Sequence, residues 1–198
     1  MNINSNNYKS FTIFILTLVG LSTLAVYGIS IFLKKYGIVI PFYIETPSIP
    51  AVYALLFYVF DKFLWKSIVF KKLGVVIADN LNGKWVGVIK SSYDNFQKDI
   101  CTELLIEQSA TEIKIYGTFN ESESVSIHEN FGRSEIDNKV ALFYFFRNEP
   151  RYNAVATMAM HEGSTKITYD ETTDTLTGYY YSGRDRNNYG TINVRRVK

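Results

Sequence analysis

Two hydrophobic patterns divide the chain. The run FTIFILTLVGLSTLAVYGISIFL, residues 11–33, is uncharged throughout and lies between Lys9 and the Lys34/Lys35 pair. A helix of that length rises by roughly 35 Å at about 1.5 Å per residue, more than a hydrocarbon core of about 30 Å. A signal-peptide h-region is shorter, about 7 to 15 residues, and ends in a small-x-small site. No A-x-A-like site follows this run, so it reads as a retained transmembrane helix. A second apolar stretch, 47–65, carries Asp61 and Lys62 near its end. It predicts a second span with that pair at the headgroup level, where lysine snorkels and Tyr58 and Trp65 are suited to the interface. Pro47 and Pro50 then fall at the start of the helix, where a missing N–H does little harm. The next segment, KFLWKSIVFKKLGVVI (62–77), reads as a basic amphipathic continuation along the membrane surface.

After Asn80 the period changes from helical to two. GKWVGVIKSSY, DICTELLIEQS, TEIKIYGTFN, SVSIHENFG, KVALFYFFRN, NAVATMAMHE, TKITYDET, DTLTGYYYSG and YGTINVRRV are short, rich in β-branched and aromatic residues, and separated by Asn, Asp, Ser and Gly. They predict an all-β antiparallel minimal β-barrel of about eight strands, lipocalin-like, with no helix. One apolar face is expected from Thr102, Leu104 and Ile106; Ile113, Ile115 and Phe119; Val125 and Ile127; Met158 and Met160; Leu176 and Tyr180; and Ile192 and Val194. TYDETTDTLTGYYY reads as a tight hairpin in which Ile167 and Tyr169 meet Leu176 and Tyr180. Around Trp85 two phases compete, Trp85 with Ile89 or Val86 with Val88. A barrel this size either fills with side chains, here Phe143, Phe145 and Met158, or holds one small ligand. The expected organisation is an anchor of two transmembrane helices over 1–72 (about 11–33 and 47–65), a juxtamembrane linker over 73–79, and a barrel over 80–198.

Charge gives the pattern an orientation. Residues up to Asn80 hold seven Lys against three acids, and the remainder holds fourteen Lys and Arg against sixteen acids. Lys9, Lys62, Lys66, Lys71 and Lys72 flank the spans on one side, whereas the connecting loop offers Lys34 and Lys35 partly offset by Glu45. The positive-inside bias therefore places the N-terminus and the β-domain in the cytoplasm. A single cysteine, Cys101, excludes an intrachain disulfide. His128 and His161 have no metal-ligand spacing with it, and there is no glycine-rich phosphate loop and no G-x-S-x-G, which argues against an enzyme, a metal or a resident cofactor.

Binding chemistry is better represented. GYYYSGRDRNNYG places Tyr180, Arg184 and Arg186 together, and Arg133, Arg147 and Arg151 precede them. Guanidinium groups pair with phosphates and tyrosine faces stack on bases, so these six residues are the candidate site for a phosphorylated, base-bearing ligand. A solvated loop with the arginines paired to Asp185 or another acid explains the same residues. Gly83 and Trp85 resemble the Gly-x-Trp of lipocalins, in which a late-strand arginine, here Arg195 or Arg196, covers the tryptophan and closes the barrel.

The order of parts carries a further resemblance. Two N-terminal spans, a short basic junction, LNGKWVG at 81–87 and a compact β-domain ending in a Tyr/Gly-rich hairpin resemble the two-transmembrane, β-strand-rich effectors of bacterial cyclic-oligonucleotide antiphage signalling. The resemblance implies a cytoplasmic barrel that binds a cyclic dinucleotide made by a partner nucleotidyltransferase. It also implies homo-oligomerisation, contact with lipid of the bacterial inner membrane, membrane disruption, and death or arrest of the infected cell. The activating ligand is then the only small molecule required, and no DNA or RNA polymer is a partner. Two rival readings are a membrane-tethered, lipocalin-like binder of an apolar molecule and a scaffold whose β-domain recruits a protein.

Overall fold

A computed structural model describes residues 8–133, 139–155, 158–183 and 186–197, arranged in two units. The first unit is helical, runs up to Ile77 and takes in Ser109–Thr111. Its helices α1 (Tyr8–Lys34) and α2 (Phe42–Lys62) are both long and apolar enough to cross a membrane. The polar residues of α1 suit such a setting. Thr17, Ser22 and Thr23 each donate their hydroxyl to the carbonyl four residues back, at 2.8, 2.7 and 3.0 Å, so these three donors need no solvent.

Three features of this unit depart from the sequence reading. Helix α2 starts just after Pro41, so Pro47 and Pro50 lie inside it rather than in its first turn. The stretch beyond Lys62 is not one amphipathic helix but a 3-10 turn, Leu64–Lys66, followed by α3 (Ile68–Lys72), which Ser67 caps by accepting the Val69 N–H. Trp65, expected to face the interface, is buried within the protein: it shares a core with Phe60, Val75, Val76 and Ala110, onto which Phe14 and Phe70 pack. The Phe60 ring lies 4.4 Å from Phe14 and 4.9 Å from Phe70. Asp61 is also buried, and its Oδ1 accepts both the N–H and the hydroxyl of Thr111 at 2.8 Å. Burial of a carboxylate is tolerable because those donors, with Lys62 at 3.2 Å, replace water.

The second unit is a closed barrel of β1 (Gly83–Ser91), β2 (Ile100–Gln108), β3 (Ile113–Phe119), β4 (Ser122–Arg133), β5 (Val140–Pro150), β6 (His161–Asp170), β7 (Thr175–Ser182) and β8 (Tyr189–Arg196). Each strand pairs antiparallel with the next, and β8 returns to β1 from Trp85↔Arg196 to Ser91↔Gly190. Closure gives every strand two neighbours, with β3 and β4 paired only over Tyr116–Thr118 and Glu123–Val125. The interior is lined by alternate residues: Trp85 and Ile89, Leu104 and Ile106, Ile113 and Ile115, Leu142 and Tyr144, Ile167, Leu176, Ile192 and Val194. Trp85 is fully buried while Val86 is 41% exposed, which settles the phase of β1.

Elsewhere the barrel corrects the predicted faces. Val125 and Ile127 do not form an inward pair: Ser122 and Ser126 are the buried residues of the first half of β4, and Ile127 is exposed. A bulge between Ser126 and His128 reverses the phase, so that Phe131 arrives inside farther along. A uniform period of two cannot register such an insertion. Ser126 is fitted to this place because its hydroxyl accepts the Ile115 N–H at 2.9 Å. In β5 the run ALFYFF is apolar on both faces, and Phe143 and Phe145 turn outward while Leu142, Tyr144 and Phe146 fill the interior. Among the described residues of the strand predicted over 153–162, none before His161 is in a strand. Tyr152–Ala154 is a 3-10 turn and β6 begins only at His161, so Met158 and Met160 share no strand face. Three of the ten residues over 153–162, at 154, 156 and 159, are alanines, which have weak β preference. In the β6–β7 hairpin Tyr169 faces Leu176, but Ile167 meets Gly178 and Tyr180 meets Thr165.

Candidate ligand site at the open end of the barrel

One end of the barrel is sealed. The Trp85 indole donates to the Leu81 carbonyl at 2.9 Å and meets the Tyr169 ring edge-on at 5.9 Å. Arg196 covers it, with its guanidinium 4.2 Å from the Trp85 ring centre. That guanidinium is held by Asp174 Oδ1 at 3.1 Å, by the Asn80 carbonyl at 2.8 Å and by the Asn82 carbonyl, and Tyr169 donates to the same Asp174 oxygen at 2.9 Å. Gly83 has φ +117°, a backbone state that L side chains rarely adopt, at the point where the chain turns into β1. Arg195, its neighbour, is exposed.

At the opposite end the interior opens into a cavity of about 490 Å³, within the range of ligand pockets. Its walls carry Tyr144, Phe146 and Tyr180, with Ile89, Leu104 and Ile192 toward the interior and Ser122, Ser124, Asn148 and Thr165 among them. Its rim carries Tyr93, Asp94, Lys98, Asn120, Glu121, His161, Arg186 and Asn188. Glycines make room for the aromatic rings. A Cβ on Gly163 would lie 2.5 Å from the Phe146 ring, and one on Gly190 would lie 2.5 Å from the Tyr180 ring and 2.1 Å from the Lys90 carbonyl oxygen.

Burial sets the protonation states here. It pushes the Tyr144 phenol up to about 12, a hydrogen bond with Thr165 opposing it. The Tyr180 phenol is also raised, by burial first, and is hydrogen-bonded to Ser91. Burial lowers the His161 pKa, with the Arg186 charge adding to the effect and the Ala159 carbonyl opposing it, so the imidazole is neutral at pH 7. The described ionic groups on the lining are therefore Lys98 and Arg186 against Asp94 and Glu121. Arg186 also stands over the Tyr93 ring at 5.8 Å.

Of the six candidate binding residues, the structure brings Tyr180 and Arg186 into this cavity. Arg184 lies outside the described residues. Arg147 and Arg151 are on the outside, where Arg147 pairs with Glu162 at 3.0 Å and Arg151 with Glu123 at 3.2 Å. Alternation dictates this for Arg147, since the inward positions beside it are Phe146 and Asn148. Arg133 ends β4 opposite Val140 and is not among the cavity residues. Sequence reasoning missed Ser122, Ser124, Asn148 and Thr165; Ser122 and Ser124 fall opposite the face expected from Val125 and Ile127, and Asn148 opposite that expected from Phe143 and Phe145. The one available signal was the Ser-x-Ser-x-Ser alternation at 122, 124 and 126.

A family described as Cap15, cyclic dinucleotide receptor domain, matches residues 77–196. The chain belongs to this family. The match contains every strand of the barrel and every residue of the cavity. Two relatives named CD-NTase-associated protein 15 agree with it. The protein from Yersinia aleksiciae is 27% identical over 155 residues, covering 76% of this chain and 70% of the relative. That from Escherichia albertii is 25% identical over 131 residues, covering 66% of each. The barrel is thus a receptor domain of the Cap15 class, associated with cyclic-oligonucleotide-based antiphage signalling, on a chain with two candidate membrane spans.

Proposed function

We propose that the chain is a membrane effector in which a cyclic dinucleotide, made by a partner nucleotidyltransferase, enters the cavity at the open end of the barrel. Binding drives homo-oligomerisation, and α1 and α2 then disrupt the bacterial inner membrane, killing or arresting the infected cell. The observation that carries the ligand assignment is the cavity itself. It lies wholly within the matched receptor domain and combines aromatic faces, hydroxyl and amide groups, and the Arg186 guanidinium. Bases stack on such rings and a phosphate pairs with such a cation. The hydroxyl, amide and charged groups set among apolar ones favour a ligand that carries polar groups over a wholly apolar one of lipocalin type. The lysines flanking the spans support a cytoplasmic barrel, where a second messenger is available. For the switch to work, the ligand must bind the assembled form more tightly than the resting one.

Calorimetry of the full chain in detergent against a panel of cyclic dinucleotides tests the ligand. Binding by at least one member is expected, and Arg186→Ala should weaken it about tenfold or more while the thermal unfolding midpoint stays in place. A panel with no binder overturns the proposal. For the output, an inducible chain lacking residues 1–72 should still bind ligand but no longer depolarise cells supplied with it. Undiminished depolarisation would refute the role given to the helices.

A further inference from the structure

One rim residue has a carboxylate oxygen that no described residue engages. Asp94 closes the 3-10 turn Ser92–Asp94 between β1 and β2 and lines the cavity. Its Oδ2 accepts the Lys98 N–H at 3.0 Å, which fixes the loop. Its Oδ1 is shut off from solvent and accepts no hydrogen bond from the described residues. No described cation forms an ion pair with Asp94; Arg186 is instead over the Tyr93 ring, and the Tyr180 hydroxyl is committed to Ser91. An acceptor deprived of water without a donor is a costly arrangement, and a native fold keeps such groups where something else supplies the donor.

The chemistry of the ligand class narrows what that donor is. Phosphate oxygens of a cyclic dinucleotide are anionic acceptors, which a carboxylate repels, so they suit Lys98 and Arg186 instead. The base edges differ among themselves. Adenine and cytosine set one amino donor beside a ring-nitrogen acceptor, and uracil flanks its single N–H with two carbonyls. Guanine alone presents adjacent N–H donors, at N1 and N2, without an acceptor between them. We propose that Asp94 accepts the Watson–Crick N–H groups of a guanine and is the base-selecting residue of the cavity. This rests on the reading of the cavity as a cyclic dinucleotide site. A site built to satisfy a buried acceptor discriminates strongly against ligands that lack the matching donor.

The test compares cyclic di-GMP, cyclic GMP-AMP, cyclic di-AMP and cyclic di-UMP on the full chain in detergent, for wild type and Asp94→Asn. Asparagine can still accept the Lys98 N–H through its carbonyl oxygen, but it replaces the free acceptor with an N–H₂ donor. Wild type should bind the guanine-containing ligands about 10- to 100-fold more tightly than cyclic di-AMP or cyclic di-UMP. Asp94→Asn should erase that preference while the unfolding midpoint stays in place. A wild type that does not favour guanine overturns the assignment whether or not the variant folds, as does a variant weakened equally for all four. If no ligand binds wild type, the cyclic dinucleotide reading itself falls.

Discussion

At one end of the barrel Trp85 is fully buried under Arg196, and that arginine's donors are taken up by Asp174 and two backbone carbonyls. At the other end Tyr144, Phe146 and Tyr180 stand around open space, with Ser122, Ser124 and Asn148 among them and one Asp94 oxygen without a partner. The same strands supply both ends, so the difference lies in where the polar groups find their hydrogen bonds. Where protein satisfies protein, the result is closure. Where donors and acceptors are left facing a cavity, the result is a place for something else to bind. Substitutions at the sealed end should therefore register as lost stability, and substitutions at the open end as lost affinity.

The largest test of this division is Trp85→Ala. It removes a fully buried indole, its bond to Leu81 and the surface on which Arg196 rests, and should cost about 3–5 kcal/mol in denaturant unfolding of the full chain. Next comes alkaline pH. The Tyr144 phenol is held at about 12 against an ordinary 10, so its neutral form favours the folded state. That contribution is complete below pH 10 and is lost as pH rises through 12. By linkage it amounts to roughly 3 kcal/mol. Unfolding free energies measured from pH 9 to 12 should fall more steeply for wild type than for Tyr144→Phe, and equal slopes would refute the assignment. Smaller again is Arg196→Lys, which keeps the charge but not the fork that reaches Asp174, Asn80 and Asn82 together. About 1–2 kcal/mol of stability should be lost, with ligand affinity unchanged because Arg196 is far along the strands from the cavity.

What could be read directly from the sequence follows the same division. The sealed end was legible because Gly83, Trp85 and a terminal arginine are unusual residues in fixed places, and the strands β2, β3 and β8 alternate without interruption. The open end was not, for three physical reasons. A bulge at Ser126/His128 reversed the phase of β4 and hid Ser122 and Ser124 on what looked like an outer face. The doubly apolar β5 could not reveal that Tyr144 and Phe146, rather than Phe143 and Phe145, face inward. Hydroxyl and amide groups that line a cavity look, by composition, like groups that face water, and only register separates them. Arginine content pointed toward the last hairpin, but counting arginines could not tell Arg186 on the rim from Arg147 on the wall.

That distinction gives the smallest expected effect and the most direct check on register. Arg147 and Arg151 are exposed and paired with Glu162 and Glu123 across neighbouring strands. Exposed pairs of this kind are worth about 0–1 kcal/mol because water and salt screen them and long side chains lose entropy in making them. Arg147→Ala and Arg151→Ala should each shift stability by about 0.5 kcal/mol or less and leave cyclic dinucleotide affinity within about twofold. Arg186→Ala, by contrast, should lose affinity without losing stability. All three replacements remove one positive charge, so any general electrostatic attraction between barrel and ligand would weaken equally in each. A loss confined to Arg186 therefore locates the phosphate contact at the cavity rim. A loss shared by Arg147 would mean that the ligand reaches the outer wall of β5 and that the cavity is not its site.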